Sequence, residues 1–183
     1  PINPSVVILQ DGVDISGLDA ALTTFDTTRS DVLRGAQGSI MGAGALAGLI
    51  AAQTQPPIKQ TNASLAFGLE SHGGERVEVV GNTALTDTLS IRAAHQNYES
   101  DGWIDNTYLG VSDTSNRDES TTRFSMRHSY ARDTVDVGVT RLSINNGYDA
   151  FSLDNTRETL SDDPGEDSLD FISAFMRWRH EGA

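Results

Sequence analysis

The chain has 183 residues, no cysteine and a formal net charge of −13 at pH 7. The lack of cysteine excludes disulfide bonds and thiolate chemistry. The acidic balance argues against nucleic acid as a partner, because little in the chain would neutralise phosphates. No apolar run reaches the length that a transmembrane helix needs.

The negative charge is concentrated in the second part of the chain. Residues 1–58 carry five acids and two bases, whereas residues 59–183 carry 21 acids and 11 bases. Two segments, 99–119 and 146–170, hold 14 of those acids and only two of the bases. We expect both segments to be solvated loops.

The first apolar runs predict a β-hairpin. Val6–Leu9 and Val13–Ile15 are joined at Asp11-Gly12, which is a strong turn signal between two strands. The segment Leu18–Phe25 is too short for its periodicity to separate a short helix from an irregular turn.

A glycine-rich stretch, DVLRGAQGSIMGAGALAGLI, follows at residues 31–50. Its glycines are Gly35, Gly38, Gly42, Gly44 and Gly48. Their spacing lacks the dinucleotide-binding fingerprint, and no lysine is present for a P-loop. The pattern predicts a short strand at Val32–Leu33, a helical turn broken by glycines at Ser39–Leu46, and a strand at Gly48–Thr54.

This stretch resembles the plug domain of TonB-dependent outer-membrane receptors. That family carries a segment similar to ERVEVLRGPQGSLYGAGALAGVINIVT, and the chain has RSDVLRG followed by AQGSIMGAGALAGLIAAQT. The upstream text VVILQDGVDIS is similar to a hairpin of the same domain. Ser30, Asp31, Ala36 and Met41 depart from the residues that are usual in the family, but every motif glycine and Arg34 are present.

Strict alternation of apolar and polar residues begins after Pro56-Pro57, which ends regular structure because proline cannot donate to a ladder. Six strands are predicted, at 62–70, 77–81, 89–96, 123–127, 135–140 and 169–178. Arg141 interrupts the alternation and suggests a bulge. Short connections alternate with long acidic ones, as in transmembrane barrels. A soluble antiparallel sheet has the same period, and the resemblance favours the barrel.

The resemblance implies a mainly β fold. We expect a transmembrane antiparallel β-barrel, of which about six strands are present here, with a small α+β plug domain inside the lumen. Residues 1–58 would form the C-terminal part of the plug, and residues 59–183 the first barrel strands. The chain is then an internal fragment of a receptor several times longer.

The function implied by the resemblance is transport across the outer membrane of a Gram-negative bacterium. The expected ligand is a scarce small molecule, most often an iron–siderophore complex in this family. A TonB-type inner-membrane complex would supply the energy through a motif that precedes Pro1. Two alternatives stay open from the sequence: a soluble, extracellular, β-rich glycan-binding protein, and a receptor that acts mainly in transmembrane signalling.

Site residues follow partly from the resemblance and partly from composition. The resemblance implies that Arg34 pairs with a barrel glutamate beyond Ala183; bonding to nearby carbonyls or to Asp31 is the alternative. Aromatic side chains in the acidic loops could contact an amphipathic ligand or belong to an interfacial girdle. These aromatic candidates are Trp103, Tyr108, Tyr148 and Phe151.

No constellation of residues predicts catalysis, a metal site or a cofactor. The histidines His72, His95, His128 and His180 are scattered, with no pair at metal-ligand spacing. The loop acids Asp101, Asp105, Asp149 and Asp154 lack the spacing of a calcium-binding loop. We therefore expect a protein that is not an enzyme.

Overall fold

The computed structural model describes residues 5–18, 21–38, 45–150, 152 and 156–182. Regular structure in this part of the chain is almost entirely β. The strands are β1 (Val6–Gln10), β2 (Val13–Asp14), β3 (Thr27–Arg34), β4 (Gly48–Thr54), β5 (Asn62–Leu69), β6 (Glu75–Ala84), β7 (Leu89–Ser100), β8 (Asp105–Asn106), β9 (Arg117–Tyr130), β10 (Asp133–Tyr148), β11 (Glu158–Thr159) and β12 (Gly165–His180). The mainly β class predicted from the sequence is confirmed.

Strands β1 to β4 form one sheet, the N-terminal sheet, in the order β2-β1-β4-β3. β1 and β2 are the predicted hairpin, and the turn between them places Asp11 and Gly12 at φ values of 52° and 88°. Asparagine, aspartate and glycine tolerate this left-handed region best, so the Asp-Gly pair suits the turn. β4 matches the predicted strand Gly48–Thr54 and runs parallel to β1. The predicted helical turn at Ser39–Leu46 lies mostly outside the described residues.

Six longer strands form an antiparallel meander, the wall sheet, in the order β12-β10-β9-β7-β6-β5. Each predicted strand of the second part of the chain is present in it. The predicted bulge at Arg141 is wrong, because β10 keeps one unbroken register with β9 and with β12, in which Arg141 lies between Thr122 and Ile172. Arg141 points to the same face as Val139. That face therefore changes from apolar to charged at Arg141 without a change in register.

The outward face of the wall sheet, turned away from the N-terminal sheet, carries an apolar band. Its exposed members have 37% to 79% of their surface accessible. They include Leu65, Phe67, Leu69, Val79, Phe124, Met126, Val139, Ile172, Met176 and Trp178. The band ends at Val139 on β10 but continues on β5 through Phe67, which is level with Ser143 of β10, to Leu69. The band therefore runs obliquely to the strands, as it does where barrel strands are tilted.

The inward face of the wall sheet contacts the N-terminal sheet. Near the long-loop end of β10, Leu142 and Ile144 point inward and form a buried cluster with Ile8, Ile15 and Ala21. The apolar residues of β10 therefore change face along one strand. They point outward at Val139 and inward beyond Arg141, because the N-terminal sheet supplies an apolar partner there.

The two ends of the wall sheet differ in their connections. Residues 85–88 and 131–132 join strands tightly at one end, whereas 101–116 and 149–164 are long loops at the other. The two long loops pair with each other through β8 and β11. Among the described residues, no helix is long and apolar enough to cross a membrane.

Gly48 offers a test of the N-terminal sheet. A Cβ at this position would lie 2.7 Å from the backbone carbonyl oxygen of Leu33, which cannot move without disturbing the ladder between β3 and β4. We expect Gly48→Ala to destabilise this sheet by about 1–3 kcal/mol. The measurement is the urea concentration at which a protease begins to cleave the N-terminal sheet in the full-length protein.

Gly81→Ala is the matched control, because a Cβ there meets no heavy atom within 4 Å and Gly81 also lies within a strand. Equal midpoints for the two variants would contradict the close packing of β4 on β3.

Candidate functional site at the interface of the two sheets

Arginine side chains occupy the inward face of the wall sheet. Five of them lie close to the N-terminal sheet: Arg92 on β7, Arg123 and Arg127 on β9, and Arg177 and Arg179 on β12. Arg76 on β6 and Arg117 on β9 share this face at the long-loop end. A guanidinium group stays charged at any physiological pH, so it can be buried only with partners. The partners of the five arginines define the interface.

Arg92 forms an ion pair with Asp26, which precedes β3 in the N-terminal sheet. The guanidinium Nη2 lies 2.5 Å from one carboxylate oxygen, and Nε donates to the other at 2.9 Å. The two side chains are only 12% and 8% exposed. Two parallel hydrogen bonds between charged groups fix both the distance and the orientation of the partners.

Arg123 holds the segment just before Asp26. It donates hydrogen bonds to the carbonyl oxygens of Phe25 and Thr23, and only 5% of its surface is exposed. When the Gln10 amide is oriented to satisfy both of its atoms, its oxygen accepts from Arg123 Nη2 at 2.6 Å and its nitrogen donates to the Ala21 carbonyl at 3.2 Å. One guanidinium therefore joins β1, the segment 21–26 and the wall sheet.

A second group of arginines lies toward the short-turn end. Arg127 donates to Asp136 through Nε at 2.6 Å and Nη2 at 3.0 Å, and Arg179 donates to the same carboxylate at 2.9 Å. Arg177 donates to the backbone carbonyl of Asp11 at 3.2 Å. Arg177 thus holds the turn of the first hairpin against the wall sheet.

The connection between the two sheets is also fixed. The side chain of Asn82, on β6, accepts from the Ile58 N–H at 3.0 Å and donates to the carbonyl oxygens of Ile58 and Gln60 at 2.9 and 2.6 Å. Pro57 beside them is fully buried. Asn82 therefore ties the chain leaving the N-terminal sheet to the wall.

The two long loops are joined by a buried polar pair. Asn106 and Asp149 are 1% and 2% exposed, and the Asn106 amide donates to the Asp149 carboxylate at 2.9 Å and to the Ser161 carbonyl at 2.9 Å. Desolvation raises the pKa of Asp149, but accepted hydrogen bonds, including those from Asn106 and the Ala150 N–H, outweigh it and lower the pKa below its ordinary value. The carboxylate is thus part of the loop structure.

Arg34 lies exposed at the end of β3, and no carboxylate of the described residues is within ion-pair distance of it. Its pairing with a barrel glutamate stays a prediction. Gly35 takes a φ of 89°, which favours glycine, and Gly48 is closely packed against β3. A Cβ at Gly38 would meet nothing within 4 Å. Gly42 and Gly44 lie outside the described residues.

Three of the four predicted aromatic residues are described, and all three lie exposed at the long-loop end. Trp103 and Tyr108 are exposed on the first long loop, and Tyr148 is exposed at the end of β10. Phe151 lies outside the described residues. At the same end, an unpredicted group brings the guanidinium groups of Arg76 and Arg117 to 5.3 and 5.1 Å from the ring centre of Tyr98.

The sequence contains a signal for the arginines that no prediction used. Each lies on the polar face of an alternating strand, and Arg123, Arg127, Arg177 and Arg179 recur at intervals that keep one face. The described part of the chain brings no three His, Asp or Glu side chains together in a way that could hold a metal ion.

Comparisons with known proteins agree on the architecture. Neither the family models nor the curated proteins that were compared match the chain. Among solved structures, the ferric yersiniabactin uptake receptor FyuA from Yersinia pestis matches 98% of this chain at 20% identity and a TM-score of 0.84, over 30% of its own length. The receptor FpvA from Pseudomonas aeruginosa, solved with pyoverdines, matches 97% at 17% identity and 0.74, over 26% of its length. The ferric-catecholate import receptor Fiu from E. coli K12 matches 80% at 17% identity and 0.65, over 22%.

The chain has the fold of a TonB-dependent outer-membrane receptor. We propose that the wall sheet corresponds to a sector of the β-barrel of this fold and the N-terminal sheet to part of its plug, and both are named accordingly below. The resemblance found in the sequence is therefore confirmed for the fold. The chain spans less than a third of the length of these receptors.

Asp26 tests the plug–barrel contact. We expect Asp26→Ala to destabilise the docked plug by about 3 kcal/mol, because the charge of Arg92 would be left without its carboxylate partner at a largely buried position. The measurement is the shift in the urea midpoint for exposure of the plug, in the full-length protein.

Asp31→Ala is the control. Its partner Arg29 is 67% exposed and Asp31 itself 32%, so the loss should not exceed about 1 kcal/mol. Similar shifts for the two variants would refute a special role of the Arg92–Asp26 pair.

Asp149 predicts a pH dependence of the loop pair. Because the pKa of the folded state lies below the ordinary value of 3.8, the stabilisation is complete above that value and is lost as the pH falls through the lowered pKa. We expect residues 101–116 and 149–164 to lose hydrogen-exchange protection only under those acidic conditions, after correction for intrinsic exchange rates. In Asp149→Asn the protection should be weaker at pH 7 and should not change with acidification; an unchanged pH profile would contradict the assignment.

Proposed function

We propose that the chain is part of an outer-membrane receptor that takes up a scarce ligand with energy from a TonB-type complex, and that the ligand is an iron–siderophore complex. The observation that carries this is the polarity of the wall sheet. Its exposed apolar side chains face away from the N-terminal sheet, whereas five of its arginines, among them Arg92 and Arg123, face that sheet. Lipid is the environment that matches such an exterior.

The same polarity argues against a soluble glycan-binding sandwich. A soluble sheet packs its apolar face on the core and exposes the polar face. Here Phe67, Ile172 and Met176 are about 70% exposed on the outward face, while Arg123 is buried. Tyr130 and Trp178 lie exposed at the short-turn end of the same face, where a barrel carries an aromatic girdle.

Features at the long-loop end support ligand binding there. A cavity of about 310 Å³ lies between the plug segment 23–26 and the barrel residues Arg76, Glu78 and Gln96. Near this cavity, the guanidinium groups of Arg76 and Arg117 lie over the Tyr98 ring and pair with Glu70 and Glu119, so the surface combines an aromatic ring with charged groups. Ligands that combine rings with polar groups suit such a surface. The solved receptors of this fold include proteins described with ferric yersiniabactin and pyoverdines, which supports an iron chelate as the ligand class.

This proposal assigns a different role to each part of the chain. Residues 1–58 belong to the plug, which the ligand contacts from the long-loop end, and residues 59–183 form barrel strands in the outer membrane. Arg34 has no described ion-pair partner, so it is available to a barrel carboxylate outside the described chain. The TonB-type complex would act on the plug from the short-turn end.

The test is uptake by cells. A strain that lacks the full-length gene should fail to accumulate radioactive iron from one siderophore under iron limitation, and the restored gene should recover accumulation. Within the restored gene, we expect Trp103→Ala with Tyr108→Ala to weaken ligand binding at the cell surface about tenfold or more, since each exposed ring would lose its contact area with the ligand.

Tyr130→Ala is the matched control, because this exposed tyrosine lies at the opposite end of the barrel sector. Normal iron accumulation in the deletion strain with every siderophore offered would overturn the ligand class. Recovery of the full-length protein in the soluble fraction would overturn the membrane location as well.

A further inference from the structure

A cavity of about 80 Å³ lies between the plug and the barrel sector near the short-turn end. On the plug side, residues 53–57 and Asp11 line it; on the barrel side, the lining includes Arg127, Arg177 and Arg179. A single water needs roughly 10–15 Å³ of such space, so the cavity has room for a group of several heavy atoms. It is separate from the cavity at the long-loop end, which other residues line.

The three arginines bring more hydrogen-bond donors to the cavity than the protein uses. Asp136 accepts two bonds from Arg127 and one from Arg179, and the Asp11 carbonyl accepts one from Arg177. Each guanidinium has further N–H groups, arranged in a planar fork. In the described chain these N–H groups make no other hydrogen bonds, so donors remain for a ligand.

The carboxylates at the cavity are already engaged. Both oxygens of Asp136 accept from arginines. The Asp11 carboxylate is turned to Thr54, accepting from its N–H and its hydroxyl at 2.9 Å each. Three positive groups therefore face two acids, and an added anion would meet an excess of positive charge.

We propose that this cavity binds an oxyanion, either a carboxylate or a phosphate group. The guanidinium fork matches both groups with two parallel charge-assisted hydrogen bonds, which a chloride ion or a neutral ligand cannot accept in the same way. The site goes beyond the proposed uptake function, because it lies on the short-turn side of the plug. An occupant would contact residues 53–57 of the plug and the barrel arginines together, so its binding depends on a docked plug.

Calorimetric titration of the full-length protein in detergent, at low ionic strength, tests the site. The probes are inorganic phosphate and citrate. We expect wild type to bind at least one of them, and Arg179→Gln to bind it about tenfold more weakly, since one charge-assisted contact is lost. Asp136 keeps both bonds from Arg127 in this variant, so the wall sheet should stay folded.

Two further variants separate a binding role from a structural one. Arg179→Lys keeps the charge without the fork and should bind with intermediate affinity. Arg132→Gln removes an exposed arginine of the nearby turn that does not line the cavity, and should bind as wild type does. Binding of both probes indicates a general oxyanion site that free phosphate can fill, and binding of citrate alone indicates a site that selects carboxylates.

Two results would overturn the site. One is no heat of binding with either probe in wild type; the other is equal affinity in wild type and Arg179→Gln. Because iron accumulation plays no part in the titration, neither result bears on the uptake function.

Discussion

The structure depends on how the barrel arginines are neutralised. A guanidinium group cannot lose its charge in a protein, and a buried one without partners would cost several kcal/mol. Arg92, Arg123 and Arg177 find those partners on segments that precede the barrel strands. The partners are the Asp26 carboxylate, the Gln10 side-chain amide and backbone carbonyls of residues 11–25. The place of the plug against the barrel follows from these contacts, with apolar packing at one end only.

Much of the fold was predictable because strands leave local signals. The Asp-Gly turn, the strand at 48–54 and the alternation after residue 61 each follow from neighbouring residues, and each is present. The bulge predicted at Arg141 failed for a physical reason. Strict alternation predicts one apolar face along the whole strand. Along β10, however, the apolar residues move from the outward face to the face that packs on the N-terminal sheet, so Leu142 and Ile144 point inward without any shift in register.

The candidate site was less predictable. Alternation predicts that the arginines lie on the polar face of the sheet, but it does not predict which segment packs against that face. Asp26 lies 66 residues from Arg92, and Arg123 uses backbone carbonyls, which no side-chain pattern records. The resemblance implies an ion pair from an arginine of the plug, Arg34, whereas the described contacts join arginines of the barrel to acceptors of the plug. Burial of Asn106 and Asp149 likewise depends on two loops that meet only in the folded chain.

The linker contact at Asn82 has a consequence for the order of assembly. Its amide closes the chain against β6 just where the plug segment ends, and the plug segment is made before any barrel strand. On the inward face, Arg92, Arg123 and Arg177 have their partners on that earlier segment, whereas Arg127 and Arg179 share Asp136 within the wall sheet. The final contacts of these three arginines therefore need the docked plug, and docking replaces the water that would hydrate their guanidinium groups in an open lumen by the Asp26 carboxylate and backbone carbonyls.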